Sequence, residues 1–375
     1  MRWSMFEAIL QGYDHWQELG NPGWSYQDVL PYFKKSEHSS RGADAYHGMD
    51  GELSVTDPTA PAAISQKFVD ACVALGYDYN PDFNAMQQEG SGLFQLTVKD
   101  GKRHSTAAAF FLPILQRPNL TVTTGALVTR LLFEGTHTVG VEYLHEGVLH
   151  QVGVNQEVIL SAGTIDSPKL LMLSGIGDAQ SLQAMGISVV ADLPGVGQNL
   201  QDHIVVSTAY MATQNIHFAM TSSVTEAGLF LHNEGNLDAA PDLEIIFCPI
   251  PFPGSPVSGF IGAVILMHSH NVGSVRLRSC DFKDTPMIWL NYLQSQSDVQ
   301  KLVEGIKLMR QLFLNSAFDE FRGEEVAPSA KVQSDAALVA YIREYCNSGY
   351  HFVGTCAPGH RSDGGGRPRT TSTWG

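Results

Sequence analysis

Residues 157–177 read EVILSAGTIDSPKLLMLSGIG. The short apolar run Val158-Ile159-Leu160 has the length of a buried parallel strand. A turn of small residues follows, Ser161-Ala162-Gly163-Thr164. Ser167-Pro168 then has the form of an N-cap and first helical position, since proline has no amide to leave unpaired there. Leu170, Leu171 and Leu173 give the next turns an apolar face, and Gly175 and Gly177 end them. Strand, turn and helix together make half of a nucleotide-binding fold, with turn amides that can approach an anionic or polar cofactor closely. On physics alone such a unit need do no more than pack a sheet.

The run Gly163 to Gly177, GTIDSPKLLMLSGIG, resembles the second signature of the glucose-methanol-choline (GMC) flavin oxidoreductases, and its constrained positions fit. The segment that follows, Gly195-Val196-Gly197-Gln198-Asn199-Leu200-Gln201-Asp202-His203, resembles its counterpart in the same family. Upstream, Tyr13-Asp14-His15-Trp16, the run GWSYQDVLPYFKKSE and Tyr46-His47-Gly48 with Gly51-Glu52-Leu53-Ser54-Val55 look like the family's region after its flavin-attachment loop. Gly12 stands where the family has aspartate. Arg103-His104-Ser105 and the following AAAFFLP match its RxSxAxAFLxP stretch, where Arg103 and Ser105 either orient a lid or tie loops together. Residues 120–160 read as strands, at 120–123, 126–133, 138–144 and 148–154, and the residue matching Val128 lines the adenine end of FAD in the family. Taken alone, Val128 reads as core.

The resemblance implies FAD as cofactor, with Val128, Ser161, Ala162, Gly163 and Thr164 as its contacts. It also shows a departure. The family's GxGxxG turn and acidic ribose-binding residue are not found near the start of this sequence. Met1 is therefore expected to fall inside the family's domain. The missing unit would supply the helix N-terminus for the pyrophosphate, so weakened FAD binding is expected.

Composition bounds the alternatives. The 375 residues suffice for two domains. Hydrophobic content of 43% and charged content of 16% describe a soluble globular protein. A net charge of -15 would be repelled by nucleic acid and anionic membranes. The five cysteines are scattered without a CxxC pair, so neither a disulfide framework nor a metal site is expected, and the cytoplasm is the default compartment. Residues 1–10, with one basic residue and no long apolar core, are not expected to be a signal peptide. The most apolar stretch, 243–267, holds Pro249, Pro251, Pro253 and Pro256 and reads as two buried strands, not as a membrane helix. Ile64, Phe68, Ala71, Cys72 and Leu75 recur at helical spacing, and Gly76 stops that helix.

After His203 the pattern changes to short strands with long connections and later helices, an antiparallel sheet with helices on one face. The fold class is therefore α/β and α+β. A partial Rossmann-like FAD-binding region over 1–206 is followed by a substrate-binding domain over 207–356. Tyr350-His351-Phe352-Val353-Gly354-Thr355-Cys356 resembles the family's YHPVGTC active-site segment, with Phe352 in place of proline. By that resemblance His351 is the acid/base group. Oxidising an alcohol requires an acceptor for the hydroxyl proton as hydride leaves carbon, and imidazole suits this near neutrality. Cys356 reads as packing. Residues 357–375 have a disordered composition and lack the family's second active-site His or Asn; His360 lies too close to His351 to replace it. The implied function is FAD-dependent oxidation of a small-molecule alcohol. The competing reading is a truncated, inactive chain that binds FAD weakly or not at all.

Overall fold

The computed structural model describes residues 10–216, 225–232, 240–251 and 258–356. The expected tail, 357–375, and His360 lie outside them. The chain forms two compact units, each drawn from three separate stretches of sequence. One comprises 1–120, 204–268 and 296–347; the other comprises 121–203, 269–295 and 348–375. Where the sequence suggested a single break near residue 206, the chain passes between units several times.

The first unit is built on an antiparallel sheet. Its strands run in the order Arg322–Ala327, Ile204–Ala212, Ser258–Leu266, Leu243–Pro251, Ala227–Leu231 and Gly90–Leu93. The two strands expected within 243–267 are neighbours, paired from Leu243↔Leu266 to Pro251↔Ser258. Alternation along them sends Ile245 and Phe247 to one face and Ile246 to the other. On the first face Phe247 stacks on Phe68 of helix Ala63–Ala74, at 5.3 Å, and meets Phe313 of helix Gln296–Leu314. Gly262 and Gly305 permit this close seating. A Cβ on Gly262 would lie 2.2 Å from the Met309 sulfur, and one on Gly305 2.4 Å from Val264 Cγ1. The opposite face carries Phe83, Phe94, Phe230, Ile246, Ala263 and Ile265 as a second buried cluster. The expected sheet with helices on one face is therefore present. It also recruits Gly90–Leu93 and Ala63–Ala74, which the sequence placed in the other domain. The predicted helix spans Ala63–Ala74, and Gly76 follows in the left-handed region at φ +96°.

The second unit holds a three-stranded antiparallel sheet, Leu127–Glu134, His137–His145 and Val148–Gly153. Helix Gly163–Leu173 packs on its first strand, where the Leu131 N–H donates to Ser174 Oγ over 2.8 Å. Met172, Leu182, Val196 and Leu277 form the core beneath. Two expectations fail here. Val158-Ile159-Leu160 is not a strand, and Ile159 is 74% exposed. A parallel strand needs hydrogen-bonded neighbours, and no strand among the described residues pairs with this run. Nor is Ser167-Pro168 a helix start. The helix begins at Gly163, so proline sits in its interior. Gly175, at φ +88°, does turn the chain after the helix, as expected. No helix among the described residues is long and apolar enough to cross a membrane.

Candidate functional site

The site lies within the second unit and is organised by a buried carboxylate. Asp202 is 5% exposed. Its Oδ1 accepts the backbone N–H of His351 at 2.9 Å, and its Oδ2 accepts the Tyr292 and Ser348 hydroxyls. A buried carboxylate requires such donors in place of water. Around it the two segments run antiparallel. Gln201 and Val353 exchange two backbone hydrogen bonds of 3.0 Å, and the Gly349 N–H donates to the His203 carbonyl at 2.8 Å. The result is a fixed position for His351. Its Nδ1 lies 2.9 Å from Nδ1 of His203, with ring centroids 4.9 Å apart and planes at 86°. Both side chains are half-buried.

A second set of bonds ties this segment to the helix at 163. Thr164 Oγ1 donates to the Phe352 carbonyl, and Thr355 Oγ1 donates to the Thr164 carbonyl, each over 2.6 Å. The second bond explains how Pro168 is tolerated inside the helix. An amide at 168 would ordinarily bond the carbonyl four residues back, that of Thr164. Proline cannot, and the Thr355 hydroxyl supplies the donor. Gly354 allows the segment to press against residue 199. It sits at φ +93°, and a Cβ there would lie 2.2 Å from the Asn199 carbonyl oxygen. Burial pushes the Cys356 thiol up to about 11, so it stays protonated near neutrality and does not serve as a nucleophile.

The turn before the helix is open. Ser161, Ala162 and Gly163 are exposed, and Thr164 is half-buried. Ala162 occupies the N-cap and offers no side-chain acceptor to the first-turn amides. Gly163 adopts φ +81° with nothing within 4 Å of where a Cβ would stand. Uncapped amides at a helix N-terminus attract negative charge, so this turn can receive a phosphate or another polar acceptor. Val128, read from sequence alone as core, is 39% exposed on the strand beside the helix.

The structure thus joins His351 to Thr164 through residue 352. Val128 lies on the strand that packs against the Gly163–Leu173 helix. Asp202 and His203 stand in the Gly195–His203 motif, which does not by itself mark either as a site residue. The run Gln201-Asp202-His203 was their signal, and only the fold reveals what they touch. Arg103 and Ser105 belong to the first unit.

A family model described as GMC oxidoreductase matches residues 3–205, and its C-terminal counterpart matches residues 269–366. Mitochondrial choline dehydrogenase of Mus musculus is 39% identical over 380 residues, covering 94% of this chain and 64% of that protein. Oxygen-dependent choline dehydrogenase of Rhizobium johnstonii is 38% identical, covering 94% and 69%. The chain thus spans about two thirds of the length of these relatives. Among solved structures, pyridoxine 4-oxidase from Mesorbium loti superposes with a TM-score of 0.87 at 26% identity, covering 94% of this chain and 71% of that one. An FAD-dependent oxidoreductase from Chaetomium thermophilum shares the fold, with a TM-score of 0.84 at 22% identity. By sequence match and by fold, the chain belongs to the GMC oxidoreductase family.

Proposed function

We propose that the chain carries out FAD-dependent oxidation of an alcohol CH–OH group, with His351 as the group that takes the hydroxyl proton. The observation that carries this reading is the placement of His351. Its backbone is fixed by Asp202, one ring nitrogen is engaged by His203, and its segment is fastened to an uncapped helix N-terminus. FAD fits what is present there, because the exposed turn and its free amides suit a polar or anionic group. Ser161, Ala162, Gly163 and Thr164 would hold it at the turn, and Val128 would contribute an apolar contact. When bound, FAD supplies the hydride acceptor that side chains cannot provide. The residues of the chain orient the alcohol and remove its proton. His351 accepts that proton as the C–H bond breaks.

The names of the curated relatives point to choline, a small cationic alcohol, as the first substrate to test. A net charge of -15 favours attraction of such a cation. The five cysteines, four of them buried or half-buried and none in a disulfide, suit a reducing compartment such as the cytoplasm. The test is to add FAD to the purified chain, remove free flavin, and follow the visible flavin absorbance on anaerobic addition of choline. Retained flavin that bleaches supports the reading. A chain that retains no flavin, or retains it without bleaching by choline or other small alcohols, refutes it.

A further inference from the structure

The turn that carries His351 commits three successive amides. The Gly349 N–H donates to the His203 carbonyl, the Tyr350 N–H donates to Ser348 Oγ at 2.8 Å, and the His351 N–H donates to Asp202 Oδ1. Ser348 Oγ in turn donates to Asp202 Oδ2, so two of the three lead to one carboxylate. These bonds hold a backbone that local preference opposes. Tyr350 lies in the left-handed region at φ +59°, although it is bulky and not glycine. It is 84% exposed, so packing of its side chain does not account for this conformation. The other hydroxyl on Asp202 belongs to Tyr292, which stands between two more left-handed residues, Asn291 at φ +53° and Leu293 at φ +59°. Such conformations persist where surrounding bonds impose them, and they gather at sites whose geometry matters. Gly349 shows how tightly the turn is closed. A Cβ there would stand 3.0 Å from the His203 carbonyl oxygen and 3.4 Å from His351 Nδ1.

We propose that Asp202 is a positioning residue for the reaction at His351, and that it acts through the main chain. Its two oxygens draw the Tyr292 and Ser348 hydroxyls and the His351 amide to one point, which keeps the strained turn closed and the His351 ring against His203. A turn free to relax at Tyr350 would swing the His351 amide off Asp202 and carry the ring out of place. A carboxylate suits this task because it offers acceptors on both sides. An amide of the same shape offers an acceptor on one side only, and its NH2 group would face either the His351 N–H or the two hydroxyls. The consequence for alcohol oxidation rests on the reading above; the hold on the turn does not.

The test is Asp202→Asn. In flavin-free chain with labelled histidine, the ring signals of His203 and His351 are assigned with His203→Gln and His351→Gln, and the nuclear Overhauser contact between the two rings is measured; their centroids are 4.9 Å apart. The unmutated chain should show the contact and Asp202→Asn should weaken or lose it. In chain loaded with FAD, Asp202→Asn should slow flavin reduction at saturating alcohol by about 10- to 100-fold with KM little changed. Ser348→Ala removes one bond and should slow it by about 3- to 10-fold, and Ser348→Thr, which returns the hydroxyl, should restore most of the rate. A ring contact that Asp202→Asn leaves intact overturns the proposal, as does a reduction rate that it leaves unchanged. If Asp202→Asn does not fold, the Ser348 pair decides, and equal rates in its alanine and threonine variants overturn the proposal. If the ring contact depends on Asp202 while the unmutated chain reduces no flavin, the positioning of His351 stands and the alcohol-oxidation reading falls.

Discussion

Two histidines in this protein are each fixed by neighbours, with opposite consequences. His47, in the first unit, is 1% exposed and lies between two carboxylates. Glu37 is 3.0 Å from its Nδ1 and Asp82 is 3.1 Å from its Nε2. Asp82 and then Glu37 push His47 up to about 10. The two flanking carboxylates favour its cationic form near neutrality, which works against a role as a base. Arg41 extends the cluster, pairing with Asp57 at 2.6 Å and with Asp82 at 3.1 Å. His351, in the second unit, meets another imidazole instead. The two Nδ1 atoms lie 2.9 Å apart, so the partner at this nitrogen is a second imidazole and not a carboxylate. Both histidines stand in motifs that resemble the family. Their neighbours, not their type, make one a structural cation and the other a candidate base.

The comparison can be broken most severely at His47. His47→Leu leaves Glu37 buried without its cationic partner and should cost about 3 kcal/mol of stability. The midpoint of denaturant unfolding measures it, and a loss below about 1 kcal/mol would mean that the carboxylates do not depend on His47. The reciprocal change, His351→Ala, should leave that midpoint nearly unchanged while slowing flavin reduction by about 100-fold or more. Stopped-flow absorbance on FAD-loaded chain tests it; an equal rate in the variant would remove His351 from its role. A smaller effect is expected at Thr355→Val. The Thr164 carbonyl loses the hydroxyl that replaces the missing amide of Pro168, at a cost of about 1–2 kcal/mol, again read from the unfolding midpoint.

The mildest probe is pH. His47 is raised in the folded state, so its contribution is complete below its ordinary value of 6.5 and is lost as pH rises through about 10. The stability gap between the unmutated chain and His47→Gln should therefore narrow across that window, by at most about 1.4 kcal/mol per pH unit. A gap that stays constant would argue against the raised value. Asp82 acts at the other end. Burial pushes it up, but the bond to His47 and the neighbouring charges outweigh that and leave it lowered. Its contribution is present above the ordinary carboxylate value and is lost on acidification through its lowered value.

Much of this arrangement was legible in the sequence, because motifs encode local backbone demands. Gly175 at a helix end, Gly76 after another helix and the proline-interrupted strand pair at 243–267 all followed from residue type and spacing. His351 was legible through its segment. What sequence could not supply was partnership across the chain. His203 and His351 are 148 positions apart, and nothing in either segment states that two Nδ1 atoms meet. The same limit explains the misread helix start. Ser167-Pro168 has the form of a cap, and only the hydroxyl of Thr355, 191 residues from Thr164, makes proline acceptable inside the helix. The run 158–160 failed for a related reason. An apolar tripeptide becomes a strand only where neighbouring strands offer it hydrogen bonds.

The paired threonine bonds also bear on ligand binding. They make the first turn of the Gly163–Leu173 helix and the His351 segment one ordering unit, although 188 residues separate Thr164 from Phe352. Conformational entropy lost in fixing either part is lost for both. A group anchored at the helix N-terminus would leave less disorder to be removed when an alcohol reaches His351. Two ligands could then favour one another with no displacement of either segment, a cooperativity carried by two hydroxyl groups.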